Sequence, residues 1–455
     1  APPMPRVYNR AHLAGRSQSS PRGCQLAGHL ERRANVRFLH VADVHLGYQQ
    51  YGSRERYNDF GRAFLHVVDQ AVERKADALL LAGDLFEKRT VDPKAMGQAV
   101  AGLQRLKDAR IPVIAVEGNH ERAHYQDQIS WLEFLDSLGL LILLNAPIRE
   151  GQLLLQPHTA EEVGAYVDLP GGVRIYGLRY YGASAARVFE MLRTAIEGQA
   201  GPRPAFSLLL THAGIEGVIP RCLGAVPLQA LEPLRPLLDY VALGHIHKPY
   251  TIDGWIYNPG SLETWAADEA AWTDRGFYQV EIDLPSRNVQ ARLMRTPRRR
   301  FERLRVAVDA CPSPQAVYSA VESALQRVHL PEADAQPVLQ ITLDGSLAFD
   351  RSELDVARVE ELARQALDPL LVRVHNATLP PEFDIGSHSP EASRAELEHK
   401  VLTELMERDT RYRPQSGAWA QVALEIKRLA LGGQSPDAIL DLLLHKRAEL
   451  GTEGL

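Results

Sequence analysis

The chain has 455 residues and a formal net charge of -6, with apolar and charged fractions of 45% and 24% that are those of a folded globular protein. That length allows two or three domains with at least one sizeable core, and the mild acidity excludes a histone-like binder while leaving room for a local basic surface. Three cysteines far apart in sequence, Cys24, Cys222 and Cys311, match no zinc or disulfide spacing and suit a reducing cytoplasm, and no apolar run is long enough to span a membrane.

Residues 1–35 are rich in Pro, Arg, Ser and Gly and lack the apolar stretch of a secretory signal, so a disordered or weakly ordered leader is expected there. Residues 36–42 read as a short buried strand. Phe60, Phe64, Val67, Val68 and Ala71 have helical spacing and predict a helix over 59–74. Residues 78–82 read as a second strand, 93–105 as a helix capped by Asp92, and 112–116 as a third strand. This β-α-β-α-β rhythm implies parallel strands with crossover helices, whose functional residues collect at the carboxyl ends of the strands. Segments 174–178, 206–210, 240–243, 255–258 and 276–282 also look extended. The expected fold class is α/β, a four-layer β-sandwich of two mixed sheets flanked by helices and ending near residue 296.

A basic run then follows, comprising Arg292, Arg295, Arg298, Arg299, Arg300, Arg303 and Arg305. Beyond it the pattern predicts strands at 304–308, 338–343 and 371–375 and helices at 314–328 and 354–366, a small α+β module. Residues 379–390 read as a Pro-bearing linker. The tail from 391 is helical, with one apolar stripe at Leu397, Val401 and Leu405 and another at Trp419, Val422, Ile426 and Leu429. Gly432-Gly433 ends that second helix, and Ser435-Pro436-Asp437 opens the last one. The expected domains are therefore 1–35, 36–296, 297–378 and 379–455.

Five short motifs fall in one order: Asp43-Val44-His45, Gly83-Asp84, Gly118-Asn119-His120-Glu121, Thr211-His212 and Gly244-His245-Ile246-His247. Taken alone, an Asp after a strand is a helix cap or turn former, a His is a satisfied core or surface residue, and Gly-Asn is a turn. Together, five polar motifs follow five apolar strands and consist almost wholly of metal-ligand types. Two divalent cations need one bridging carboxylate and a shell of nitrogen and oxygen donors, and Asp, Asn and His suit manganese, iron or zinc. Other histidines lack such a context, and His40 is expected to pack inside the first strand.

At these residues the chain resembles the calcineurin-like metallophosphoesterases, and more narrowly the SbcD / Mre-eleven DNA-repair nucleases. The narrower resemblance rests on the string from Phe38 to Gly47, on Ala82-Gly83-Asp84-Leu85-Phe86, on Gly118-Asn119-His120-Glu121, on Gly244-His245-Ile246-His247-Lys248-Pro249, on Pro259-Gly260-Ser261-Leu262-Glu263 and on Arg275-Gly276-Phe277. It covers 36–296 well and 297–378, as the family's capping domain, more loosely. The resemblance implies one metal on Asp43, His45, Asp84 and His247 and a second on Asp84, Asn119, His212 and His245, with Asp84 bridging. It implies that His120 is no ligand and acts at the leaving oxygen, while water activated by both ions attacks phosphorus in line. Some relatives carry a second active-site His where this chain has Glu87, which puts a two-histidine account in doubt. Ala213 also stands where a polar residue is frequent.

The resemblance further implies two divalent ions, manganese first with magnesium, iron or zinc as alternatives. It implies 3′→5′ exonuclease and single-strand endonuclease activity on DNA, a homodimer, and an SMC-like ATPase partner of the SbcC / Rad-fifty type bound through the C-terminal helices. A cytoplasmic, nucleoid-associated location without membrane contact is expected. Tyr48, Tyr51, Arg54 and Arg56 are read as a loop after the first motif that can touch substrate, against the plainer reading of a surface loop. The basic run can follow a DNA backbone or serve as a solvated linker. Two alternatives stand beside the nuclease: a phosphatase or cyclic-nucleotide phosphodiesterase acting on a small molecule, and a DNA-end-binding scaffold for the ATPase.

Overall fold

Strand polarity and side-chain alternation build the core. The computed structural model describes residues 35–122, 129–220, 222–309, 311–329, 336–379, 394–408 and 411–450. Of the leader expected over 1–35 and the linker expected over 379–390, residues 1–34 and 380–390 lie outside the described residues. Strands β1 (Asn35–Val41), β2 (Ala78–Leu81), β3 (Val113–Ala115) and β4 (Ile142–Leu143) run parallel, linked by helices α1 (Arg54–Glu73), α2 (Pro93–Asp108) and α3 (Trp131–Ser137). Beyond the hairpin β5 (Ile148–Arg149) and β6 (Gln152–Leu153) come β7 (Tyr166–Leu169), β8 (Val173–Leu178), helix α4 (Ala185–Glu197), β9 (Phe206–His212), β10 (Tyr240–Gly244), β11 (Tyr250–Ile252) and β12 (Ile256–Asn258). Strands β13 (Gly276–Asp283) and β14 (Asn288–Arg295) return to the first sheet, whose order is β14-β13-β1-β2-β3-β4. The second sheet has the order β11-β12-β10-β9-β8-β7.

Because strand side chains alternate, each sheet has two apolar faces. Leu39, Val41, Leu79, Leu81 and Val113 pack against Phe64, Val67, Leu103 and Leu132 of the helices. Phe38, Ala42, Leu80 and Ile114 meet Leu208, Leu210, Tyr240 and Ala242 of the second sheet. On the outer face of that sheet Leu209, Val241 and Leu243 meet Val188, Phe189 and Leu192 of α4. The result is the expected four-layer α/β sandwich. Each fully buried Leu or Phe contributes roughly 1.5–3 kcal/mol. His40 is fully buried between the sheets. Its Nε2–H donates to Leu243 O at 3.0 Å, and its Nδ1 accepts from Tyr240 Oη at 3.0 Å. Burial lowers its pKa to about 3, so the ring is neutral.

Helix α1 starts earlier than residue 59, because Ser53 Oγ accepts from Arg56 N at 3.3 Å and caps it. The segment read as a substrate loop is thus partly helix. Arg56 is fully buried rather than available to substrate: it binds Gln50 Oε1 at 2.7 Å, Asp59 Oδ2 at 2.6 Å, Glu263 Oε2 at 3.1 Å and Thr264 O at 3.0 Å. Arg54, two residues earlier, opens the helix and is exposed.

Past the basic run lie β15 (Phe301–Ala307), α5 (Pro314–Leu325), β16 (Val338–Ser346), α6 (Val356–Leu367) and β17 (Leu371–Leu379), with a sheet order β15-β16-β17. The run itself is largely engaged in internal pairs. Arg295 pairs with Asp274, Arg300 with Glu302, Arg305 with Asp344, Arg303 with Asp268 at 3.3 Å, and Arg299 with Asp59 at 2.7 Å. Arg298 donates to Thr264 Oγ1 at 3.0 Å.

The described residues form two compact units. One holds the chain up to 307 with 315–344 and 355–377, and the other holds 308–314, 345–354 and 378 onward. The second unit contains helices α7 (Arg394–Arg408), α8 (Ser416–Leu431) and α9 (Pro436–Glu449). Within it Trp419, Ala420 and Val422 are buried, Lys427 pairs with Glu398 at 2.8 Å, and Leu405, Leu431, Leu440 and Leu444 are exposed. No helix among the described residues is long and apolar enough to cross a membrane.

Candidate metal centre

The carboxyl ends of β1, β2, β3, β9 and β10 lie at one edge of the sandwich, and the loops leaving them bring together Asp43, His45, Asp84, Asn119, His120, His212, His245 and His247. Four of these residues adopt left-handed backbone: Asp43 (φ 52°), His45 (54°), Asp84 (55°) and His245 (87°). Each such residue costs about 1–2 kcal/mol, so the surrounding structure has to impose the conformation. Part of that constraint is a backbone splice between two loops: Val44 N donates to Asp84 O at 2.8 Å, His45 N to the same oxygen at 3.0 Å, and Leu46 N to Leu85 O at 2.8 Å. Gly118 is required because a Cβ there would land on Asp84 Oδ1.

Ring-nitrogen bookkeeping defines what the site can hold. His212 Nδ1 lies 2.7 Å from Ala82 O and His245 Nε2 2.7 Å from Leu223 O. A carbonyl only accepts, so both of these ring nitrogens carry a proton, and it is the opposite nitrogens that can offer a lone pair to an ion. His212 Nε2 then faces Asn119 Oδ1 at 3.0 Å and Asp84 Oδ2 at 3.3 Å, and His245 Nδ1 faces Asn119 Oδ1 at 3.0 Å. His247 Nδ1–H donates to Glu269 Oε1 at 2.7 Å, which turns its Nε2 toward His45 Nε2 at 3.1 Å. Asp43 accepts from His245 N through both oxygens at 3.1 Å. With the rings neutral, these nitrogens, the two carboxylates and Asn119 Oδ1 form a donor set that suits a cation. Three groups lie close enough to share an ion: Asp43, His45 and His247; His45, Asp84 and His120; and Asp43, Asp84 and His212. Asp43, His45 and Asp84 each occur in two of them.

The charges respond to this crowding. Burial raises the Asp84 carboxyl, but the charge of His212 outweighs it and the carboxyl lies well below its usual range. Burial depresses His212, yet Asp84 lifts it to about 9. His245 is lowered by burial and by the neighbouring His212, whereas His247 is raised by Glu269 against its burial.

His120 points its ring across the site. Its Nδ1–H donates to Glu87 O at 2.5 Å, its backbone N–H donates to Asp84 Oδ1 at 3.0 Å, and its Nε2 stands 4.0 Å from Asp84 Oδ2. Glu87 Oε2 lies 2.9 Å from His45 Nδ1, off the line of a straight hydrogen bond, and accepts from Trp265 Nε1 at 3.0 Å. Burial alone would raise the Glu87 carboxyl, but His45 holds it below its usual value. Tyr48 stacks on Trp265, with ring centroids 5.2 Å apart, and burial pushes its hydroxyl up to about 12. Arg54 is not part of the cluster.

Four supporting residues have no role in the sequence reading. Glu121 accepts from Asp84 N at 3.0 Å, Phe86 N at 3.1 Å and Gly118 N at 3.0 Å, tying the β2 and β3 loops together from below. Burial and the charge of Asp84 push its carboxyl up to about 8, against the pull of the amide protons. Asn258 Nδ2 donates to Ile246 O at 2.6 Å and Lys248 O at 2.9 Å and clamps the β10 loop. Glu269 and Trp265 complete the set. Glu121 stands inside a motif, so its position is a usable sequence signal. The other three sit in segments whose local pattern carries none.

Residues 36–249, just under half of the chain, match the family described as Calcineurin-like phosphoesterase. The chain is also similar to proteins named DNA double-strand break repair protein Mre11. It is 35% identical over 244 residues to that of Archaeoglobus fulgidus, covering 52% of each chain. It is 28% identical over 371 residues to that of Methanosarcina mazei, covering 79% of this chain and 54% of the relative. It is 29% identical over 367 residues to that of Halobacterium salinarum, covering 78% and 81%. The chain thus spans about half the length of the first two relatives.

Proposed function

We propose that this chain is a metal-dependent DNA nuclease of double-strand-break repair that hydrolyses phosphodiesters with two divalent cations. The observation that carries this reading is the convergence of lone pairs from four histidines, Asn119 and two aspartates at one sheet edge. Asp43, His45, Asp84 and His247 would hold one ion, and Asp84, Asn119, His212 and His245 the other. When bound, the ions supply Lewis-acid polarisation of the phosphoryl oxygens and lower the pKa of water. DNA as substrate, in 3′→5′ exonuclease and single-strand endonuclease modes with manganese, rests on the resemblance and on the repair role named for the relatives.

The protein's own part in the reaction is to position groups and deliver a proton. The Glu87 carbonyl occupies His120 Nδ1–H, so only Nε2 can exchange a proton with substrate. That nitrogen would protonate the leaving oxygen. The left-handed turns at Asp43 and Asp84 fix both carboxylates before substrate arrives, so little reorganisation is needed during reaction. Residues 297–378 would act as the capping domain. The exposed Leu431, Leu440 and Leu444 support the tail as the docking segment for an SMC-like ATPase, and the exposed Trp131 and Leu138 support a homodimer through the early helices.

The test is cleavage of end-labelled single- and double-stranded DNA with Mn²⁺, Mg²⁺ or EDTA, beside His120→Asn. We expect Mn²⁺-dependent degradation, lowered by about 10²–10⁴-fold in the variant, the usual contribution of a general acid, with cation binding retained. A wild-type chain that spares DNA but hydrolyses a generic phosphodiester would overturn the nuclease reading in favour of a small-molecule phosphodiesterase.

A further inference from the structure

We propose that the two cation positions are unequal, and that Glu87, Glu269 and Trp265 are positioning residues that make the position between His45 and His247 hold its ion more tightly. The inference rests on the two-cation reading above.

The outer nitrogens of the four histidines do not meet the same kind of partner. At the Asn119 side, His212 and His245 are backed by neutral backbone carbonyls, Ala82 O and Leu223 O, each at 2.7 Å. At the other side, His247 is backed by the Glu269 carboxylate at 2.7 Å, and His45 has the Glu87 carboxylate at 2.9 Å. A carbonyl orients a ring and adds no net charge. A carboxylate orients it and adds negative charge close to the ion in a water-poor site. Glu87 and Glu269 are 8% and 7% exposed, so solvent screens neither well.

Trp265 joins the two supports. Its indole N–H donates to Glu87 Oε2 at 3.0 Å and its backbone N–H to Glu269 Oε2 at 3.0 Å, while its ring packs edge-on to His247 with centroids 5.5 Å apart. Arg275 Nη1 also reaches Glu269 Oε2 at 3.1 Å and Ser261 Oγ at 2.5 Å. That guanidinium offsets the charge of Glu269, which therefore acts chiefly through orientation. Glu87 is tied by a neutral indole and contributes its charge. The carboxylate that stands where some relatives carry a second histidine thus has a task of its own: it sets negative charge behind the His45 ring while the Glu87 backbone carbonyl holds His120.

Mn²⁺ titrations of the metal-free full chain, by calorimetry and by the spin-resonance signal of free Mn²⁺, test this without reference to activity. We expect two steps of different affinity. Glu87→Gln keeps an amide oxygen at the place of Oε2, where the Trp265 indole N–H needs an acceptor, and removes the negative charge behind His45. It should weaken the tighter step by about 10–100-fold, the usual cost of changing an outer partner, and leave the weaker step unchanged. Glu269→Gln should do the same. Trp265→Phe removes only the indole N–H, keeps the backbone donor, and should have a smaller effect confined to the tighter step. If a glutamine variant does not fold, as its melting curve would reveal, Trp265→Phe decides by the same criterion. Two steps of equal affinity, or a variant that weakens both steps alike, would overturn the asymmetry and leave the two-cation reading standing. A wild-type chain that takes up no Mn²⁺ would overturn that reading itself.

Discussion

Replacing Glu121 with Ala removes the acceptor for three buried N–H groups at once, those of Asp84, Phe86 and Gly118. A buried donor left without a partner costs about 1–3 kcal/mol, so three of them would sum to roughly 3–9 kcal/mol if nothing relaxed. Water entering the vacated space recovers part of this, and an expected local loss of about 3–4 kcal/mol follows. Glu121→Gln is milder. Oε2 serves both Asp84 N and Gly118 N, so an amide oxygen placed there keeps two bonds and loses only the one from Phe86 N, a loss of about 1–2 kcal/mol. Hydrogen exchange reads this locally, without requiring that the chain unfold in one step. Amides in segments 82–88 and 116–122 should lose about 100-fold or more of their protection in Glu121→Ala, since about 1.4 kcal/mol is one factor of ten, and roughly tenfold in Glu121→Gln. Segments in α4 should not change. Unchanged protection in both loops of the alanine variant would refute the idea that Glu121 holds them.

Two further outcomes follow from buried charge. His40 is neutral in the fold with a pKa near 3 against 6.5 unfolded, so the unfolded state binds the extra proton as pH falls. Stability should be full above pH 6.5 and decline toward pH 3, by about 3 kcal/mol of His40 origin at pH 4.5, and the difference from His40→Gln in urea denaturation at each pH isolates it. An identical pH slope in the variant would rule this out. Arg56→Met strands the Asp59 and Glu263 carboxylates inside the protein and should cost about 3 kcal/mol, the low end for a broken buried pair because Arg299 still covers Asp59. Arg54→Met, exposed two residues away, should stay within about 0.5 kcal/mol. If Arg56→Met were as stable as wild type but weakened DNA binding, the substrate-loop reading of that segment would be restored.

Periodicity and strand-end motifs were enough to outline the sandwich, because both are local. A period of two or 3.6 marks an apolar face, and a ligand must follow a strand to stand at its end. Asp92 as a cap and the Gly432–Ser435 break between tail helices were legible for the same reason, since a cap is made with residues two or three positions away. What a charged residue does was not local. Arg56 is in the core because Glu263 reaches it from across the domain, and Arg299, Arg303 and Arg305 are engaged by acids far away in sequence, Asp59, Asp268 and Asp344. Which ring nitrogen of each histidine faces inward was decided by Ala82 O, Leu223 O and Glu269, groups supplied by other loops. The sequence by itself determined which side chains could bind cations. Only the tertiary structure decided their lone-pair directions and the charge behind them, because a hydrogen bond acts over about 3 Å and its partner's identity depends on folding, not on position in the chain.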